Sequence, residues 1–262
     1  MNLELEGKTA IVTGASKGMG LATVRALMGE GVTVVGASRT VTPELAETGA
    51  YTVTADLSAP DAPSRVVSEA LARLGGTLDV LVNNVGGGDS GPPGAGFLDV
   101  DEASWQSTFG LNLFAAVRTT RAALPALLRA RGAIINVSSD SALRPATAPL
   151  AYGAAKAALN AFGKGISEEF GPQGVRVNTI SPSATRTALW EGEQSFGADV
   201  AAAMGVSQGQ MIKAMPAQMG MLTGRFIEPE EIADAIVYLA SPLASSVHGA
   251  NWVIDAGVSK AV

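Results

Sequence analysis

The residue types best suited to chemistry lie close together: Ile134-Ile135-Asn136-Val137-Ser138-Ser139, then Tyr152-Gly153-Ala154-Ala155-Lys156. Side chains four apart on a helix share a face one turn apart, so Tyr152 and Lys156 are expected to point the same way. A free tyrosine titrates near 10, too high to exchange protons readily at neutral pH. A neighbouring ammonium favours the phenolate and is expected to lower that value. An isolated Tyr-x-x-x-Lys is usually only a helix-surface pair. Here a serine pair closes an apolar, β-branched run, with its second member thirteen residues before the tyrosine. A hydroxyl at the carboxyl end of a strand can hydrogen-bond a carbonyl oxygen while a phenol protonates it. The set predicts reduction of a ketone or oxidation of a secondary alcohol.

Such a reaction needs a hydride carrier, and the N-terminal segment has a place for one. An apolar run at Thr9–Thr13 leads into Gly14-Ala15-Ser16-Lys17-Gly18-Met19-Gly20, ahead of a helical pattern. Glycines at this spacing make a tight turn, let backbone approach a diphosphate, and let the next helix pack on the strand. The helix N-terminus offers N–H groups and a positive dipole end to phosphates. A plain strand-to-helix turn also uses glycine, but a position between strand and helix near the N-terminus is the context a dinucleotide motif requires. No Gly-Lys-Ser/Thr closes the turn, so it is not a P-loop. The spacing G-x-x-x-G-x-G differs from the commoner G-x-G-x-x-G. The second apolar run ends Gly36-Ala37-Ser38-Arg39-Thr40 and lacks the acid that usually accepts hydrogen bonds from the NAD ribose. Arg39 suits a bidentate grip on a 2′-phosphate, with Lys17 approaching from the other side, and the pair predicts NADP(H).

With these motifs the chain resembles the short-chain dehydrogenase/reductase family, from Gly7 to about Gly257. The resemblance implies a role for each matching residue. Ser139, the second serine, orients the carbonyl oxygen, and Tyr152 donates the proton. Lys156 holds the nicotinamide ribose and tunes Tyr152. Asn112, in Leu111-Asn112-Leu113, holds a water for proton resupply. Gly14, Ser16, Lys17, Gly18, Met19 and Gly20 cradle the cofactor, Ser38 and Arg39 take its 2′-phosphate end, and Asp56 with Leu57 meets the adenine. Asn84 and Gly86, in Asn83-Asn84-Val85-Gly86, match the family's Asn-Asn-Ala-Gly beside the cofactor. Pro182 lines the nicotinamide and Thr187 contacts its carboxamide. The chain departs from the family at Val85 (alanine), Ser183 (glycine) and Ala256 (glycine).

The elements that must position these residues are legible as apolar runs alternating with helical stretches. Strands are predicted at Thr9–Thr13, Thr33–Ala37, Tyr51–Thr54, Val80–Asn83, Ala133–Ser138, Arg176–Ile180 and Trp252–Ile254. Helices are predicted near Met19–Gly29, Ala62–Leu74, Ala103–Arg129, Leu150–Phe170 and Pro229–Ala240. Continuous apolar strands separated by helices signal a parallel sheet covered on both faces. The expected fold is a single α/β domain over residues 1–262, a Rossmann-type doubly wound parallel sheet of about seven strands with helices on both faces. Two stretches break the rhythm: the Gly86–Gly96 loop and Thr187–Glu228, which carries five of the eight methionines. The second, with Leu189, Trp190, Phe196, Met204, Met211, Met215, Met219 and Met221, reads as an apolar lid over the substrate or as an ordinary buried helical pair. A lid of this composition favours an apolar ketone or alcohol.

Composition excludes several other functions. There is no cysteine, hence no disulfide framework, and the single histidine, His248, leaves no material for most His-based metal sites or triads. No metal is expected, and His248 reads as structural. A net charge of −6 and a pI of about 4.9 argue against a nucleic-acid partner. No uninterrupted apolar run reaches about 18 residues, so no membrane span is expected. The opening MNLELEGKTAIVTG lacks the basic start and apolar core of a signal peptide, which predicts a cytoplasmic location. The Leu150–Phe170 helix is small and apolar nearly all round, so the face away from Tyr152 should be covered by another subunit. A homo-oligomer is expected, a dimer or the homotetramer the resemblance implies. Three other functions fit the residues less well. A reductase of acyl-carrier-bound 3-oxo substrates would dock through Arg129 and Arg131, but Glu168 and Glu169 crowd the catalytic helix. A non-catalytic NADP-binding regulator would be expected to lose Ser139, Tyr152 or Lys156. A lyase or dehalogenase would be expected to spoil the glycine turn. Arg144 reads as a surface cation or as a contact for an acidic substrate.

Overall fold

The computed structural model describes residues 2–87, 96–193 and 195–260; residues 88–95 of the predicted Gly86–Gly96 loop lie outside the described residues. The β-branched runs form β1 (Thr9–Thr13), β2 (Thr33–Ser38), β3 (Tyr51–Thr54), β4 (Val80–Asn83), β5 (Ala133–Val137), β6 (Arg176–Pro182) and β7 (Asn251–Ile254). They pair in the order β3-β2-β1-β4-β5-β6-β7, and every pairing is parallel. The order reverses between β1 and β4. A crevice opens outside the carboxyl ends of the strands at such a reversal.

Alternation along each strand divides the core into two layers. Ala10, Val12, Val34, Val82 and Ile135 face one layer, closed by α1 (Gly18–Gly29) and α9 (Pro229–Ala240). Ile11, Val35, Leu81, Ile134 and Val177 face the other, closed by α3 (Ala62–Arg73), α5 (Ala115–Ala130) and α6 (Leu150–Phe170). Central strands covered on both sides need apolar residues at every position, and all five residues of β5 are buried.

The structure refines the sequence expectation in four places. The predicted Ala103–Arg129 helix is α4 (Glu102–Phe109) and α5 joined by a π-helical turn, Gly110–Phe114. A short helix, α2 (Pro43–Ala46), follows β2; its capping residue Thr42 accepts from Leu45 N–H and donates to the Ser16 carbonyl at 2.8 Å. Strand β6 runs on through Ser181 and Pro182, which pair with Val253 and Ile254. The Thr187–Glu228 stretch holds α7 (Phe196–Met204) and α8 (Gln208–Gln218), each capped by a serine, Ser195 and Ser207.

That stretch is docked rather than loose. Trp190 stacks on Phe226 with centroids 5.1 Å apart and meets Phe196 edge-on at 5.6 Å. Gln208 Nε2 donates to the carbonyls of Trp190 and Gly192 and to Ser195 Oγ. Met211 and Met221 are buried, and Met215 and Met219 pack against the core. Leu189, Phe196 and Met204 keep apolar surface exposed. The segment is thus half core and half apolar surface.

Trp190→Ala removes the centre of this aromatic group and should destabilise the segment by about 2–3 kcal/mol. Limited proteolysis of the variant should cut within residues 187–228 several-fold faster while cleavage elsewhere is unchanged. Identical cleavage patterns would show that the aromatic group does not hold the segment.

Candidate active site

The site is built where β1 and β4 end side by side. Thr13 Oγ1 accepts from the backbone N–H groups of Asn84 and Val85 at 2.9 and 3.1 Å and donates to the Val82 carbonyl. Asn84 Nδ2 donates back to the carbonyls of Thr13 and Gly14 at 2.9 and 3.2 Å. These bonds fix the glycine turn against the end of β4. Gly14 and Gly18 adopt positive φ of 68° and 54°, and a Cβ on Gly20 would collide with the Gly14 carbonyl. The turn therefore tolerates no side chain at these positions. Its rim fits an anionic diphosphate: α1 begins without a side-chain cap and without an acidic residue in its first turn. Ser16 and Met19 lie in this turn, partly exposed. Thr187 stands directly beside it, since a Cβ on Gly18 would meet Thr187 Cγ2 at 3.0 Å. Pro182 closes β6, and Ser183, in the place of a glycine, is buried with its N–H on the Ile254 carbonyl.

At the ends of β2 and β3 the expected cofactor residues divide. Lys17 and Arg39 are both exposed, and neither makes an ion pair within 4 Å among the described residues. The Thr42 bond to Ser16 ties their two loops together. The Ser38 hydroxyl is turned onto the Thr40 carbonyl at 2.8 Å and is already engaged. Asp56 accepts from Ser58 N–H and Oγ, and those bonds hold its carboxyl below the ordinary range, with Arg39 near enough to add to the effect. Leu57 is buried in the layer under α3.

The catalytic candidates converge on the carboxyl end of β5. Ser138 is buried and donates to the Lys156 carbonyl at 3.2 Å, so it anchors α6, whereas Ser139 is partly exposed. Ser139 Oγ accepts from Ser141 Oγ at 2.8 Å and from Ser141 N–H at 3.2 Å, reaches Asp140 Oδ1 at 3.4 Å, and lies close enough to the Tyr152 phenol to act on its proton. Lys156 Nζ donates to the Val137 carbonyl at 2.9 Å and lies 5.7 Å from the Tyr152 ring centroid. Asn112 sits inside the π turn. Its amide clasps the backbone of Gly87, accepting from N–H and donating to C=O, both at 2.9 Å, and donates also to the Thr108 carbonyl. π turns occur often at functional sites. A Cβ on Gly86 would lie 2.9 Å from Lys156 Nζ and 3.0 Å from Asn112 Oδ1, so three segments border one small space.

The electrostatics correct one expectation. Burial pushes the Tyr152 phenol up to about 12; the Ser139 hydrogen bond works against this and the Asp140 charge adds to it. Burial pushes Lys156 down to about 8. Lys156 does not offset this, because with its own value near 8 it has lost its charge before the pH at which the buried phenol titrates. In this state Tyr152 is a proton donor. Two buried residues were missed by reading the sequence: Asp140, whose carboxyl is raised chiefly by burial and lies 3.5 Å from Arg144, and Ser141. An acid immediately after the strand-end serine was the available signal. Arg144 is paired with Asp140, and His248 is exposed beside a cleft at the opposite, amino edge of the sheet.

A lysine whose folded pKa lies below its unfolded value penalises folding whenever it is charged. For Lys156 that penalty is full below about 8 and absent above 10.5. Lys156→Met should therefore gain thermal stability over wild type at pH 7, and the gain should shrink as pH rises toward 10.5. A difference independent of pH would mean that the ammonium is not desolvated.

Comparisons with known proteins agree with this architecture. Residues 14–259 match a protein-family profile described as enoyl-(acyl carrier protein) reductase. The chain is 33% identical to the 3-alpha-(or 20-beta)-hydroxysteroid dehydrogenase of Mycobacterium bovis, over 98% of this chain and 91% of that protein. It is also 33% identical to the L-xylulose reductase of Bos taurus, over 98% of each. The crystal structure of L-sorbose reductase from Gluconobacter frateurii, complexed with NADPH and L-sorbose, superposes with a TM-score of 0.90 at 28% identity, covering all of both chains. The sheet order, the glycine turn and these relatives together make the chain an oxidoreductase of the short-chain dehydrogenase/reductase family.

Proposed function

We propose that the protein interconverts a ketone and a secondary alcohol with NADP(H), using Ser139, Tyr152, Lys156 and Asn112. The observation that carries this reading is the convergence of a strand-end hydroxyl, a protonated phenol and an ammonium beside the glycine turn. When bound, the nicotinamide supplies or accepts the hydride. Ser139 holds the carbonyl oxygen, and Tyr152, kept protonated by its buried surroundings, gives that oxygen its proton. Lys156, charged below about 8, grips the nicotinamide ribose hydroxyls and stabilises the phenolate as the proton leaves. Asn112 holds the Gly87 backbone and a water that resupplies the proton.

The turn formed by Gly14, Ser16, Gly18, Met19 and Gly20, with Thr187 beside it, would hold the diphosphate. Lys17 and Arg39 would hold the 2′-phosphate, and the absence of an acid at the end of β2 removes the usual NAD contact. The exposed apolar surface of Leu189, Phe196 and Met204 supports an apolar cover over a small-molecule substrate. Phe114 and Leu150, 44% and 47% exposed, mark the surface that a second copy would cover. Pairing of Arg144 with Asp140 removes the support for an acidic substrate.

Reduction of a ketone panel followed at 340 nm should consume NADPH faster than NADH. Arg39→Asp should cut that preference by about tenfold or more, the worth of a charge-assisted hydrogen bond. A wild-type preference for NADH would sink the cofactor reading. Separately, Tyr152→Phe should lower turnover by at least about a hundredfold and leave NADPH affinity nearly unchanged. Retention of most activity would remove the tyrosine from the mechanism.

A further inference from the structure

The hydroxyl of Ser141 has no part in the reaction above, yet it grips the serine that does. Ser141 is 2% exposed. Its Oγ and its backbone N–H both donate to Ser139 Oγ, at 2.8 and 3.2 Å. A hydroxyl oxygen carries two acceptor lone pairs and one proton. With both lone pairs engaged from the Ser141 side, Ser139 has only its proton left for a further bond. That proton has two destinations. One is Asp140 Oδ1 at 3.4 Å, a long and therefore weak contact. The other is the phenol oxygen of Tyr152, in the crevice where a substrate oxygen would sit. Asp140 is drawn away from the serine: Arg144 Nη1 lies 3.5 Å from its Oδ2.

We propose that Ser141 is a positioning residue that fixes Ser139 as a hydrogen-bond donor toward the crevice, so that the serine meets the substrate carbonyl proton-first. The inference rests on the reading of Ser139 as the group that orients the carbonyl. Without the Ser141 hydroxyl, one lone pair of Ser139 is free. The serine then rotates into states in which it accepts from Tyr152 or donates to Asp140, and neither state activates a carbonyl.

Steady-state kinetics with NADPH and the ketone that wild type reduces fastest test this in Ser139→Ala, Ser141→Ala, Ser141→Cys and the Ser139→Ala/Ser141→Ala double variant. Ser139→Ala should lower kcat by about a hundredfold or more, as loss of a donor to a developing oxyanion does. Ser141→Ala should lower kcat by about tenfold, the worth of one hydrogen bond, with KM for NADPH and Tm close to wild type. Ser141→Cys, which fills the space but donates weakly, should fall between, and it carries the test if Ser141→Ala does not fold. In the Ser139→Ala background the Ser141 change should cost less than about twofold, because its effect passes through the missing hydroxyl. An unchanged or raised kcat in Ser141→Ala, with Ser139→Ala inactive, overturns the proposal. So does an equal tenfold loss in the Ser139→Ala background. Near-normal activity in Ser139→Ala would instead overturn the role of Ser139, and this inference with it.

Discussion

The crevice depends on β1, β4 and β5 ending in register, because the end of each strand is a polar side chain that locks the segment beside it. Thr13 and Asn84 exchange bonds across the β1–β4 seam, and Asn83 Nδ2 donates to Asn136 Oδ1 at 2.9 Å across the β4–β5 seam and to Thr120 of α5. These groups are buried or half-buried, where an unmade hydrogen bond is costly, so they specify one alignment of the three strands. That alignment sets the glycine turn, Gly86 and the serine pair at one height along the sheet edge. A slip of one residue in any strand would turn Thr13, Asn83 or Ser139 to the opposite face.

The same burial that fixes the geometry sets the charges. Lys156 and Tyr152 are both pushed toward their neutral forms by desolvation, and the Asp140 carboxyl is raised as well. At neutral pH the desolvated Lys156 ammonium is held at a cost to folding, whereas Tyr152, neutral both folded and unfolded, is not. A phenol kept protonated is ready to donate, and a lysine near 8 changes charge close to neutral pH. The polar cluster behind Ser139, made by Asp140, Ser141, Arg144, Ser183 and Asp255, carries this arrangement from β5 to the ends of β6 and β7. Asp255 is itself pinned by the N–H groups of Gly257 and Ser259. The C-terminal loop is thereby part of the wall behind Ser139.

Much of this was legible in the sequence because the relevant signals are local. Strands β1, β3 and β4 and helices α6 and α9 have the predicted bounds, since β-branched runs and helical periodicity reflect burial on each face. Ser139 was separable from Ser138 only by resemblance; the structure adds the reason, that Ser138 is tied to the α6 backbone. A helical pair was one of two readings of the Thr187–Glu228 stretch, but the bounds of α7 and α8 were obscured by glycine, proline and methionine, although Ser207 followed three residues later by Gln210 is a capping box. The π turn around Asn112 has no sequence signature, because it arises from how α4 and α5 pack. The Tyr152–Lys156 spacing was legible, but the charge balance was not. Desolvation depends on neighbours brought from β5 and the β4 loop, which spacing along one helix does not reveal.

The central claim is that the glycine turn and the Ser139–Tyr152–Lys156 group serve one bound dinucleotide. A crystal structure of the protein with NADP⁺ tests this most directly. The diphosphate should lie on the turn at Gly14–Gly20, the 2′-phosphate between Lys17 and Arg39, and the nicotinamide ribose on Lys156 with the ring facing Tyr152. A dinucleotide seated elsewhere, or one whose nicotinamide lies out of reach of Tyr152 and Ser139, would contradict it.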